Sequence, residues 1–129
     1  MGTNILLQPS VSLAELFHLL GQPVRIQILL IIAPREACVC HIEAVLGIRQ
    51  AAISQHLMVL RDAGLVSITR EGRFIFYRLE NSELASAIYR LADVAGISRD
   101  ELESLARRPV CGCTCPQCNP DLDPELTCQ

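Results

Sequence analysis

The 129-residue chain has no tryptophan and no lysine, and only three phenylalanines and two tyrosines. With so few rings, the apolar half of the sequence must pack as aliphatic side chains. That composition suits small packed helices and leaves little room for a cavity-centred enzyme. Charged residues make up 19%, too few for intrinsic disorder at this hydrophobicity. Long apolar runs are missing too: stretches such as Ile26–Ala33 fall far short of the ~20 residues a spanning helix needs. The opening Met1-Gly2-Thr3-Asn4 lacks the positive charge that begins a secretory signal. Position 6 is Leu, where an N-myristoylation signal needs Ser or Thr. No phosphate-cradling loop, Ser/His/Asp spacing or paired acid in an evident pocket is present. These absences lead us to expect a cytoplasmic protein that is not an enzyme, spans no membrane and takes no small organic substrate.

The charge that is present is unevenly spread. Residues 35–78 carry six Arg against four acids, for a local +2, while residues 79–129 carry four Arg against nine acids, for −5. A basic centre in an otherwise acidic protein fits a confined anion-binding face.

The order of elements narrows the fold. Ser12 with Glu15 three residues later reads as a capping box opening a first helix, which runs through Leu20 and stops at Gly21. Pro23 suits the first position of a second helix, whose inner face carries Ile26, Leu29, Leu30 and Ala33 before Pro34 ends it. Ile42, Val45 and Leu46 supply a short third helix ending at Gly47. A fourth begins almost at once, with Ile53, Leu57 and Leu60 on one stripe and a stop at Ala63-Gly64. The last two alone are consistent with a helix-turn-helix or with an ordinary helical hairpin. The segment after Gly64 favours the former. Leu65–Arg70 and Phe74–Leu79 are β-prone runs separated by Glu71-Gly72-Arg73, a hairpin that would form the wing of a winged helix. A fifth helix begins near Asn81-Ser82 with Leu84, Ile88, Leu91 and Val94 in a stripe. Ser98 and Glu101 cap a short last segment that closes at Arg107-Arg108-Pro109. The expected fold class is mainly α with a small β-hairpin, a winged helix-turn-helix over residues 1–108, then a flexible Cys-rich metal-binding tail over 109–129.

In such a fold the N-terminal part of the second helix enters the major groove of duplex DNA. Here that part presents Gln50, Ala51, Ser54 and Gln55 opposite the apolar stripe. Gln bonds adenine, Ser bonds bases or phosphates, and the Ala methyl meets thymine. Arg49 at the helix start, with Arg70 and Arg73 at the wing tip, suits phosphate or minor-groove contact. A merely solvated helix face is the alternative, but such a face usually carries charge at its start. His56 flanks the apolar stripe and reads as structural or backbone-contacting, and His18 as a surface or dimer-interface residue.

Seven cysteines in a reducing compartment point to metal ligands or redox groups before disulfides. Cys38 and Cys40 form one pair, and Cys111, Cys113, Cys115, Cys118 and Cys128 crowd the C-terminal end. Residues i and i+2 of a regular helix point about 200° apart, so Cys38 and Cys40 converge on one ion only at a helix terminus or in unwound chain. Their position before the third helix meets that condition, and a helix N-terminus favours the thiolate. Two thiolates under-coordinate soft ions, and a closed zinc-like site needs four donors. Cys111, Cys113, Cys115 and Cys118 would supply the rest, with Cys128 the least suited. Alternatives are a self-contained structural zinc tail, or a redox pair at Cys115-Pro116-Gln117-Cys118.

The helix pair, the wing and the segment Glu36-Ala37-Cys38-Val39-Cys40-His41-Ile42 resemble the ArsR/SmtB family of bacterial metal-sensing repressors. The likeness covers roughly residues 13–95. It includes Ile53-Ser54-Gln55-His56-Leu57 and Leu60-Arg61-Asp62-Ala63-Gly64-Leu65-Val66. The resemblance implies a homodimer built on the first and fifth helices. It also implies an apo form that occupies operator DNA and an inducer ion such as As(III), Cd(II) or Pb(II), with Zn(II) as a further candidate. Two departures stand out. Arsenic sensors often carry a third Cys three residues after the second, where this chain has Glu43. Zinc sensors place Asp and His ligands on the fifth helix, where this chain has Asp93 and no His.

Overall fold

The computed structural model describes residues 7–106, apart from the side chain of Leu105. The expected tail over 109–129 and the Arg107-Arg108-Pro109 stop lie outside the described residues. Six helices and three strands succeed one another along these residues: α1 (Gln8–Leu20), α2 (Pro23–Ile32), β1 (Ala37–Cys38), α3 (Val39–Leu46), α4 (Gln50–Asp62), β2 (Val66–Glu71), β3 (Phe74–Leu79), α5 (Glu83–Val94) and α6 (Arg99–Ala106).

Helix α2 is the centre. Pro23 sits in its first turn, where a missing N–H costs nothing. From Ile28 to Ile32 every residue is buried, so beyond the expected Leu29 and Leu30 the C-terminal half of the helix is apolar all round, while Ile26 and Ala33 are only half-buried. Around it pack α1, α4, α6 and β3. The stripe of α4, Ile53, Leu57 and Leu60, is fully buried in the same core, as is Ile42 of α3, and Phe76 of β3 is fully buried too.

Between α3 and α4 the chain turns at Gly47, whose φ of +67° lies in the left-handed region. Glycine enters that region without the Cβ–carbonyl clash that other residues meet. The wing is a hairpin with β2 and β3 in register from Val66↔Leu79 to Glu71↔Phe74, leaving Gly72 and Arg73 as a two-residue turn. Gly72 has φ +61°, and a Gly at the first turn position is the II′ pattern that matches strand twist.

Several expectations need correction. Helix α1 starts four residues before Ser12, with Pro9 in its first turn and no side-chain cap. The Ser12/Glu15 pair therefore lies inside the helix. Gly21 has φ −73°, so it ends α1 without using the left-handed conformation. The sheet has three strands: β1 joins the outer side of β3, giving the order β1-β3-β2. On α5, Leu84 and Ile88 turn inward, whereas Leu91 is 51% and Val94 87% exposed, with Ala85 and Ala92 buried in their stead. The Ser98 cap holds: the Glu101 amide donates to Ser98 Oγ at 3.3 Å.

A polar strap joins α2 to α4. Arg25 Nε donates to His56 Nδ1 at 3.2 Å, and the same guanidinium donates through Nη1 to the Leu19 carbonyl at 3.3 Å. His56 is thus structural, as its flank position implied. Burial, then the charge of Arg25, holds the His56 pKa below the usual imidazole value.

Replacing Gly47 with Ala should cost about 1–2 kcal/mol, the penalty of a left-handed non-glycine residue, read as a lower urea midpoint at unchanged slope. The strap makes stability depend on pH. Between the ordinary histidine pKa and the depressed folded one, the unfolded chain binds a proton that the folded chain does not. Stability should therefore be level above about pH 7.5 and decline as pH falls through about 6.5. His56→Gln should flatten part of that decline in urea titrations at about pH 7.5 and 5.5.

A candidate nucleic-acid interface and the thiol pair beside it

With its stripe committed to the core, α4 presents the opposite side outward. Gln50, Ala51 and Gln55 are exposed there and Ser54 is half-buried. Arg49 is exposed and occupies the N-cap position with extended backbone (φ −59°, ψ 140°). No side chain caps α4, so the amides of its first turn have no side-chain acceptor, an arrangement that favours anions. The expected α4 residues thus share one region of the surface. Met58 is 62% exposed on the same outward side, and the sequence reading did not single it out. Its signal was available: it falls outside the 53/57/60 stripe and seven residues beyond Ala51.

At the wing, Arg70 lies near the exposed end of β2 opposite Ile75, and Arg73 occupies the turn. The Arg73 guanidinium stands 5.2 Å from the Phe74 ring centroid, close enough for a cation–π contact that restrains it. Arg78 differs. Its Nε donates to Ser67 Oγ at 2.7 Å across the strand pair, which gives it a sheet-bracing role. The wing's root packs against α4 through β2, so tip and reading helix belong to one unit.

The cysteine pair lies at the other side of the same unit. Cys38 is the last residue of β1 and also the N-cap of α3, in extended conformation (φ −83°, ψ 166°). Across the ladder it pairs with Phe76, and Ala37 pairs with Tyr77. Cys38 is buried and Cys40, in the first turn of α3, is exposed. Among the described residues the two are not joined by a disulfide. The two sit astride a strand–helix junction, the setting in which residues i and i+2 escape the ~200° divergence of a regular helix. His41, half-buried beside them, has its pKa lowered by burial, with the Cys38 charge acting to raise it and Arg35 to lower it further.

Among the described residues no three His, Cys, Asp or Glu side chains are grouped to hold a metal ion. Cys111, Cys113, Cys115, Cys118 and Cys128 lie outside the described residues. Asp93 is exposed on α5.

A third surface is apolar. Leu13 and Phe17 of α1, Leu91 and Val94 of α5, and Ile97 are each at least half exposed. Phe17, Leu20, Ile26, Leu91 and Leu102 line a groove of about 410 Å³ between α1, α2, α5 and α6. Among the described residues no single helix is long and apolar enough to cross a membrane. The α1–α2 pair passes that test only in combination, and the two are bent by 88° at their junction.

Comparison with known proteins places this geometry. Residues 22–67, from α2 into β2, match the family described as "Bacterial regulatory protein, arsR family". The chain is 32% identical over 82 residues to a transcriptional repressor SmtB homolog of Synechocystis, covering 64% of this chain and 62% of that protein. It is 41% identical over 80 residues to the biofilm growth-associated repressor of Agrobacterium fabrum, covering 62% of this chain and 68% of that protein. The solution structure of the homodimeric winged helix-turn-helix DNA-binding domain Mb0332 from Mycobacterium bovis superposes with a TM-score of 0.58 at 27% identity. That match covers 74% of this chain and 89% of the other. The two relatives are transcriptional repressors, and the Mb0332 fragment is a DNA-binding domain. A matched helix-turn-helix core, a winged fold in common and repressor relatives at up to 41% identity together show that this chain belongs to the arsR family of bacterial regulatory proteins.

Proposed function

We propose that the chain is a homodimeric transcriptional repressor that holds operator DNA through α4 and the wing and releases it when a thiophilic ion binds its cysteines. Gln50, Ala51, Ser54 and Gln55 contact bases, while Arg49, Arg70 and Arg73 contact the backbone. Cys38 and Cys40 capture As(III), Cd(II) or Pb(II), with Zn(II) a further candidate, and Cys111, Cys113, Cys115 and Cys118 complete the coordination. One observation carries this reading. Cys38 is at once the partner of Phe76 on the wing strand and the N-cap of α3, the helix packed against α4. A pull on that sulfur acts on the wing and on the helix pair together.

The donor chemistry suits the ion. Cys38 and Cys40 are soft ligands at a helix N-terminus, where the thiolate is favoured. Their number is two, short of the three or four that such ions take, so further thiolates are required. Energetically the source is ample. Turning an almost fully occupied operator into an almost fully free one takes about 5.5 kcal/mol of differential affinity. Structural metal binding by thiolates in zinc-finger peptides releases roughly 10–16 kcal/mol. The dimer is supported by the exposed apolar residues of α1 and α5 and by the homodimeric Mb0332 domain. Two copies would address half-sites about 34–36 Å apart, so a small reorientation within each breaks register on both. This placement on DNA implies a cytoplasmic protein.

The thiol role is tested by fluorescence anisotropy on duplex DNA titrated with each ion. The Cys38→Ser/Cys40→Ser protein should bind DNA as the parent does and fail to release it. A chain truncated before Val110 should need at least tenfold more ion. Release of the double variant at the parental ion concentration, or release of the parent by oxidant alone, would overturn the ion-sensing assignment. The DNA role is tested separately. Gln55→Ala should cost about 1–3 kcal/mol on a selected site and little on random duplex. Arg70→Ala/Arg73→Ala should weaken both alike, with the slope of log affinity against log salt falling by about 0.9 per lost phosphate contact.

A further inference from the structure

From Gln50 to Leu60, α4 carries neither a carboxylate nor a guanidinium. Along the middle of its outward side the residues are Ala51, Gln55 and Met58, with Asp62 at the end. Met58 lies seven residues from Ala51, two turns less about 20°, and about 10.5 Å further along the helix axis. It is 62% exposed, and the buried stripe of Ile53, Leu57 and Leu60 is on the opposite side. The side chain therefore adds little to the core, and its exposure is an apolar surface offered to whatever α4 meets.

Phosphates and the polar edges of bases have nothing to gain from a thioether. The major groove holds one apolar group, the 5-methyl of thymine. Methionine is unbranched and polarizable, so it reaches and moulds onto such a group without a fixed geometry. Asp62, one turn beyond, would repel phosphate, which sets the end of the reading surface at Met58. We infer that Met58 is a specificity-determining residue that packs on a thymine methyl, extending the base-reading face one turn past Gln55. This rests on the proposed DNA-binding role of α4.

The test uses the full chain and a duplex it selects from a random-sequence pool. Each thymine of that duplex is replaced in turn by uracil, which removes the methyl alone, and binding is monitored by anisotropy. Besides any thymine met by Ala51, the parent should lose roughly fourfold at one further position per half-site, the worth of burying one methyl-sized group. Met58→Gln should lose a similar factor on the thymine duplex and be indifferent to uracil at that position. Met58→Leu should keep the discrimination, and all three proteins should melt at the same temperature. If Met58→Gln weakens thymine and uracil duplexes equally, or weakens neither, the inference is overturned. If no duplex is enriched from the pool, the DNA-reading role of α4 falls, and this inference falls with it.

Discussion

Everything on the surface of this protein is arranged by the refusal of α2 to face water. Five consecutive residues, Ile28 to Ile32, are each at most 3% exposed. A helical segment with no solvent side must be covered in all directions, and the chain has few aromatic side chains with which to cover it. It does so with other elements: α1, α4, α6 and the inner wing strand. Each of these has one apolar side to commit to α2. What is left on their outer sides is available for binding.

That constraint explains why a chain of net charge −3 offers a face fit for a polyanion. From Gln50 to Leu60 α4 carries no charged side chain, Arg49 precedes it, and Arg70 and Arg73 are exposed on the wing. The acids are concentrated from Glu80 onward. Local sign, not total charge, governs encounter with DNA at physiological salt, where screening reaches only about 8 Å. Arg78 is withdrawn from that role by its bond to Ser67, so counting arginines overstates the cationic face.

The elements with strong periodicity or punctuation were legible in the sequence: α2 between two prolines, the Gly47 turn, the α4 stripe, the hairpin about Gly72 and the Ser98 cap. The misses have separate causes. β1 is two residues long, and no alternation is visible in Ala37-Cys38; it exists because β3 has an unpaired edge beside it. The early start of α1 was hidden because Pro9 looks like an interruption, although a first-turn proline is compatible with a helix. Leu91 and Val94 fit an inward stripe by spacing, but the side of α5 that faces the core carries Ala85 and Ala92 instead. Among candidate site residues, the α4 face was readable because a neutral exposed helix start is unusual. Met58 was equally readable from its place off the 53/57/60 stripe, but hydrophobic residues on a helix are assigned to the core by default. The tight bond between the thiol segment and the wing was out of reach, since the Cys38↔Phe76 pairing joins residues 38 positions apart.

The strap at Arg25 shows what a cation set made only of arginine makes possible. Its guanidinium holds the end of α1 with one nitrogen and the ring of His56 with another, bracing the 88° corner between α1 and α2 against α4. An ammonium group has three donors but sits as a compact point on a flexible stem, whereas the planar fork serves both acceptors in a fixed geometry. At this corner, substituting one cation for the other would leave the formal charge intact and uncouple two helices.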